Sequence, residues 1–272
     1  MLSIVTTPEG PGVQMQHAQP MIYLDHWALR RVSSESLLAS RFAKALSTRA
    51  GTLALSWLNL GEFANVSDVD SRRAAETFVE SVLPAVFCIE VEPFAVDQRA
   101  RAGDHLPYAH EALASLLVDI NRLGDKPFTA TGLFEPLFDA GLAQTKDRLA
   151  AITQGRLEFL RQEYHRDPRL AEAVKRAEQA EALATTTRVR AVVRTLAGTF
   201  FPDPKRPIRP NDAIDFLHAA IPINFCDVVL LDGGMRDLVE RARVRFKNTG
   251  IKLATVFSGQ DGVDCVLDYL EK

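Results

Sequence analysis

The spacing of hydrophobic positions changes character several times along this chain. Met21 to Leu24 is an apolar run too short for a helix, and it ends on Asp25, the pattern of a buried strand with a polar group at its C-terminal end. Leu37, Leu38, Phe42, Ala45 and Leu46 then recur at helical spacing up to about Ser47, and Gly51 breaks the pattern. Thr52 to Trp57 predicts a second strand, Leu58 to Val66 a short helix containing Glu62, and Asp70 to Leu83 a further helix that Pro84 ends. Ala85 to Val91 predicts the third strand.

From about Ala95 to Arg206 the chain turns to Ala, Leu, Glu, Arg and Gln at helical spacing with almost no β-branched runs. This predicts a helical insertion, whose most regular part, Leu142 to Leu183, breaks near Asp167-Pro168 and predicts a hairpin of helices exposed on one side. The proline-rich stretch FPDPKRPIRP closes it. A helix then starts near Asn211, Cys226 to Leu231 is a strand ending on Asp232, Met235 to Phe246 is a helix, and Ile251 to Phe257 is the last strand. Strands alternating with helices imply an α/β fold with a central, mostly parallel sheet covered on both faces. The organisation expected is a loose arm over residues 1–20, a first α/β part over 21–96, the helical insertion over 97–209 and a second α/β part over 210–272.

Composition narrows the class. The 272 residues are 47% hydrophobic and 25% charged, as in ordinary globular proteins, and no apolar run approaches the ~18 residues of a membrane span. The first twenty residues lack the basic start and apolar stretch of a secretory signal. Cys88, Cys226 and Cys265 are odd in number and far apart, so they predict reduced thiols of a cytoplasmic protein rather than a disulfide framework or a zinc site. The formal charge of -3 conceals a basic stretch, because Arg236 to Lys252 carries six cationic side chains against two acids, a net of +4.

The acidic residues have a more informative distribution. Asp25 and Asp232 each end a strand, Glu62 lies early in the helix after the second strand, and Asp215 lies in the first turns of a late helix. In parallel sheets ligands bind at the carboxyl ends of strands near the topological switch point, where these four can converge. Carboxylates at close range repel each other unless protons or cations neutralise them, and oxygen-only donors favour hard ions such as Mg²⁺ or Mn²⁺. Such ions make water a nucleophile and stabilise charge on a phosphodiester.

The stretch from Asn211 to Asp232, with Asp215 and Asp232 17 residues apart, resembles the third and fourth acidic motifs of PIN-like nuclease domains. MIYLDHWAL, carrying Asp25, resembles the first motif, and TLALSWLNLGEFANV, with Glu62 37 residues after Asp25, resembles the second. The likeness covers roughly Met21 to Val96 and Pro210 to Ser258 and leaves the insertion outside. It implies a three-layer α/β/α fold and a Mg²⁺- or Mn²⁺-dependent endonuclease acting on RNA or, second, on single-stranded DNA. It also implies Asp25, Glu62, Asp215 and Asp232 as catalytic metal ligands, with Asp212 as a further candidate. Such domains often serve as toxins paired with an antitoxin or in defence, although this chain is larger than the usual small toxin. The chain departs from the family pattern at His26 and Trp27 after Asp25, and at Leu230 two residues before Asp232.

Each residue also has a plainer explanation. Asp25 can cap the next helix, Glu62 can be a surface residue, Asp212 can complement a helix dipole, and Asp232 before Gly233-Gly234 can mark a turn. Asp227 opens the strand that Asp232 ends and is assigned a structural role. His218, one turn from Asp215, is either a contact for carboxylate or phosphate or a satisfied buried histidine; His26, next to Trp27, is expected to pack. Arg241 and Arg245 in the basic stretch are candidates for a phosphate backbone, against the default of a solvated helix face, and Arg188, Arg190 and Arg194 are equally ambiguous. A dinucleotide-binding turn is excluded because Asp25-His26-Trp27 stands where glycines are needed, and a haloacid-dehalogenase-like phosphatase would need an acid at Trp27. The rival reading is a PIN-like protein without catalysis that serves as an RNA-binding or protein-interaction scaffold. The insertion is the expected contact for a protein partner or antitoxin, and a homo-oligomer stays open.

Overall fold

The computed structural model describes residues 2–8, 10–66, 68–105, 107, 132, 142–169, 172, 187–201, 207–247 and 249–272. Its centre is a five-stranded, all-parallel sheet in the order β5-β4-β3-β6-β7, formed by β3 (Met21–Leu24), β4 (Thr52–Ser56), β5 (Val86–Ile89), β6 (Val228–Leu230) and β7 (Thr255–Phe257). The middle strand β3 pairs Tyr23 with Ala54 on one side and with Val229 on the other. The chain leaves β3 toward β4 and leaves β6 toward β7. The switch point therefore falls between β3 and β6, where Leu24 pairs with Leu230 and the next residue, Asp25, donates its N–H to the Leu230 carbonyl at 3.0 Å.

Period-two alternation divides the strands between two cores. Ile22, Leu24, Leu53, Leu55, Val86, Cys88, Val228 and Leu230 face one layer, made by α1 (His26–Ser34), α2 (Ser36–Thr48), α4 (Val69–Val82) and α11 (Gly262–Glu271). Tyr23, Ala54, Phe87, Ile89 and Val229 face the other, made by α5 (Pro93–Arg101), α7 (Arg188–Ala197), α8 (Pro210–Ala220), the short α9 (Pro222–Phe225) and α10 (Gly233–Arg245). The fold is thus a three-layer α/β/α sandwich. Among the described residues no helix is long and apolar enough to cross a membrane. The three cysteines are free thiols, and burial pushes the Cys88 thiol up to about 12.

Three expectations need revision. Within the expected arm, β1 (Leu2–Thr7) and β2 (Gly10–Met15) form an antiparallel hairpin outside the main sheet. One helix expected after Asp25 is two, α1 and α2, and α11 follows the last strand. The described part of the insertion also forms part of the sandwich. Leu157 of α6 (Leu142–Arg166) and Val189, Val192 and Leu196 of α7 belong to the second core, and α6 packs against both α3 (Trp57–Ala64) and α8. Helix α6 ends at Arg166, next to Asp167-Pro168 as expected; the second arm of the predicted hairpin lies outside the described residues.

Candidate acidic site at the carboxyl edge of the sheet

Asp25 and Asp232 occupy equivalent places. Each follows a central strand and caps the helix that leaves it, Asp25 Oδ1 accepting from Ala28 N at 3.2 Å and Asp232 Oδ1 from Met235 N at 3.0 Å. The capping explanation therefore holds for both, and Gly233-Gly234 opens α10 rather than marking a plain turn. A side chain at Gly234 would bring its Cβ within 3.2 Å of Asp232 Oδ1. Capping engages one oxygen of each acid. The Oδ2 atoms make no hydrogen bond among the described residues, and neither does the Asp215 carboxylate on α8.

Burial and neighbouring charge perturb two of these acids. Burial pushes the Asp25 carboxyl up to about 7, against His218 and the Ala28 N–H, with Asp232 and Glu62 adding to the rise. Burial likewise raises Asp215 to about 6, with Asp232, Asp212 and Glu62 adding repulsion. Asp212 Oδ2 accepts from Arg209 N at 2.7 Å, the helix-start role considered for it, yet it also lines the cleft. That cleft, about 400 Å³, is bordered by Asp212, Asp215, Asp232 and Asp237, with Thr199 of the insertion and Arg241 at its rim. Asp25 does not line it and is 7% exposed.

Glu62 is placed differently from the expectation of a fourth free ligand. Its Oε2 lies 3.1 Å from His218 Nε2 and 3.8 Å from His26 Nδ1. Burial pushes this carboxyl up, but the His218 hydrogen bond and charge, with help from His26, outweigh it and hold Glu62 below its ordinary value. His218 is only 4% exposed, so it does not face the cleft as a substrate contact. Burial disfavours its cation, but Glu62 first, then Asp25 and Asp215, raise its pKa above the ordinary histidine value.

The protonated ring also fits the hydrogen bonds around it. His218 Nδ1 contacts the Tyr23 hydroxyl, which is 3.1 Å from Ser56 Oγ, and Ser56 Oγ donates to Asn59 Oδ1 at 2.9 Å. With both ring nitrogens protonated, Nε2–H serves Glu62, Nδ1–H serves the Tyr23 oxygen, Tyr23 donates to Ser56, and every contact has one donor and one acceptor. A neutral ring leaves Tyr23 and Ser56 one donor short. Asn59 closes the chain by donating from Nδ2 to the Leu24 carbonyl at 3.2 Å, just before Asp25.

Tyr23, Ser56 and Asn59 of this buried polar chain, and Asp237 at the cleft, stand outside the sequence candidates. A polar Tyr23 inside an apolar strand and Ser56 three residues before Asn59, a capping box, were the readable signals of that polar chain. Among the other candidates, Asp227 is structural, accepting from Met21 N at 2.7 Å. The His26 ring stands edge-on to Phe63 with centroids 4.9 Å apart. In the basic stretch Arg241 reaches the cleft and Arg245 does not line it, while Arg243 donates to the Leu253 and Ala254 carbonyls and to Glu240. Arg188 is also structural, holding Asn224 and the Lys252 carbonyl.

The donor chemistry at this edge is the kind a hard divalent cation takes, because Asp25, Asp215 and Asp232 are all-oxygen donors with unpaired oxygens, two of them raised by burial and by repulsion from Asp232. The fit is not that of a closed cage: among the described residues no three His, Cys, Asp or Glu side chains are arranged to grip an ion. No protein-family model, curated protein or solved structure matches this chain.

Proposed function

We propose that this protein is a PIN-like, Mg²⁺- or Mn²⁺-dependent endonuclease that hydrolyses phosphodiester bonds, with RNA as its substrate class. The supporting observation is that Asp25 and Asp232 end neighbouring central strands of a parallel sheet at its switch point, and that burial together with repulsion from Asp232 raises both Asp25 and Asp215. Asp215 and Asp232, with Asp25 and Asp212, are the residues that would hold the metal, which would supply Lewis acidity at the phosphate and acidify a water. Glu62 is tied to His218, whose positive charge opposes the rise of the Asp25 carboxyl. Arg241 at the rim is placed to meet a neighbouring backbone phosphate. In the reaction a water oxygen bonds to phosphorus, one bridging P–O bond breaks and the leaving oxygen takes up a proton.

The test is cleavage of a mixed panel of RNA and single-stranded DNA with Mg²⁺ or Mn²⁺, comparing the native protein with Asp25→Asn and Asp232→Asn. Asparagine preserves both helix caps, so a folded but inactive variant isolates the carboxylate. One observation favours a second reading, a non-catalytic RNA-binding or protein-interaction scaffold: the described acids do not form a ready-made cage. Absence of cleavage together with absence of cation binding by calorimetry would select it.

A further inference from the structure

A second cavity, about 290 Å³, lies on the same face of the sheet between α5, α6, α7 and α8. Two neighbours on α8 separate it from the acidic cleft, since Asp215 lines the cleft and Phe216 lines this cavity. Its floor is apolar, with Leu157, Val193 and Phe216, and four arginines surround it. Two of these are engaged. Arg101 donates to Asp97 at 2.8 Å, and Arg156 pairs with Glu92 at 3.4 Å while lying 4.3 Å from the centroid of the Phe94 ring. The other two, Arg190 and Arg194, stand one turn apart on α7, and neither side chain has a hydrogen bond or ion pair among the described residues. Partial burial, and then Arg190 itself, hold the Arg194 guanidinium below its ordinary pKa. Two unpaired like charges one turn apart repel each other and call for an anion.

We propose that this cavity binds a small organic phosphate with a flat apolar body, the chemistry of a mononucleotide, its phosphate held by Arg190 and Arg194 and its body against Leu157 and Phe216. Arginine forks match phosphate oxygens, and the apolar floor favours an organic phosphate over the free ion. The volume is near the lower end of small-molecule pockets, roughly 300–1,000 Å³, which suits one nucleotide and not a strand. Binding here needs no metal and none of the acidic residues, so it stands or falls independently of the nuclease reading.

Calorimetry on the full chain in EDTA provides the test, with the four ribonucleoside monophosphates, adenosine, inorganic phosphate and a ten-nucleotide single-stranded RNA as probes. At least one monophosphate should bind, and adenosine and inorganic phosphate at least tenfold more weakly. The double variant Arg190→Gln/Arg194→Gln should lose at least tenfold in affinity while melting no lower than the native protein, because it removes a repulsion. Asp232→Asn should bind the monophosphate as the native chain does. No binding by any monophosphate, binding indifferent to the arginine pair, or tighter arginine-dependent binding of the RNA strand would each overturn the proposal, the last by making this face a nucleic-acid groove.

Discussion

His218 Nε2 lies 3.1 Å from Glu62 Oε2, with both side chains largely withdrawn from water, and this ion pair joins two helices whose residues are 156 positions apart. The pair has opposite pH limits. Glu62 is held below its ordinary value, so its contribution is present above the unfolded carboxyl value and is lost as pH falls through the folded one. His218 is raised, so its contribution is complete below the unfolded value of ~6.5 and is lost as pH rises through the folded one. The pair therefore stabilises most from about pH 4.5 to 6.5. His218→Gln should cost roughly 2–4 kcal/mol at pH 6 and less at pH 9, measured by urea unfolding at both values. An equal loss at both would mean that the histidine acts by packing and not by charge.

Asp25 has the opposite sign from an ordinary stabilising carboxylate. Its folded pKa, about 7, lies above the unfolded value, so its contribution is favourable below ~pH 4 and is lost as pH rises toward and beyond 7. At pH 8 the buried, ionised group costs the fold on the order of 2–4 kcal/mol. Asp25→Asn keeps the cap and removes the charge, so the metal-free variant should melt several degrees higher than the native protein at pH 8 and close to it at pH 4. Under the proposed function the same change should lower cleavage by at least about a hundredfold. A variant that is less stable at pH 8 would show that the carboxylate is structurally required there.

Residues whose signal is local could be read from the chain. Asp25 and Asp232 stand out because the central strands are unbroken apolar runs and a charge ends each of them abruptly. Glu62 could be placed on its helix, but its pairing with His218 depends on packing across the sheet edge and leaves no periodicity in either segment. The insertion misled for a related reason: the buried stripe of α6 is Ala150, Thr153, Leu157 and Arg161, half of it polar, so its spacing suggests an exposed helix although it covers α3 and α8. Helix α11 lies beyond the predicted elements although Val263, Val266, Leu267 and Leu270 recur at helical spacing. The N-terminal hairpin was not legible, because Gly10, Pro11 and Gly12 weaken the alternation that marks a strand.

Under the proposed function a divalent cation should stabilise the protein by offsetting the burial of Asp25 and Asp215 and their repulsion by Asp232. Because Asp25 and Asp215 release their protons near pH 7 and pH 6, the cation competes with fewer protons as pH rises. Millimolar Mn²⁺ should therefore raise the melting temperature more at pH 8 than at pH 5, and EDTA should reverse the shift. Asp215→Asn should abolish most of the difference. A shift of equal size at both pH values, or in the variant, would place the ion elsewhere on the molecule.

Arg241 and Arg243 share α10 two residues apart and should separate binding from stability. Arg241 is exposed at the rim of the acidic cleft and makes no hydrogen bond among the described residues, whereas Arg243 joins α10 to the carbonyls of Leu253 and Ala254 just before β7. Arg241→Gln should leave urea unfolding within about 0.5 kcal/mol of the native protein. It should weaken RNA binding and reduce the slope of log affinity against log salt by roughly 0.7, the loss of one contact to a single strand's backbone. Arg243→Gln should do the reverse, costing about 1–3 kcal/mol of stability by leaving carbonyls underserved, with the salt slope unchanged. Arg245→Gln should leave the salt slope unchanged if the cleft is the binding surface. Were the three variants to reduce the slope equally, the whole outer face of α10 would be the phosphate-binding surface and the acidic cleft would lose its claim to position the substrate.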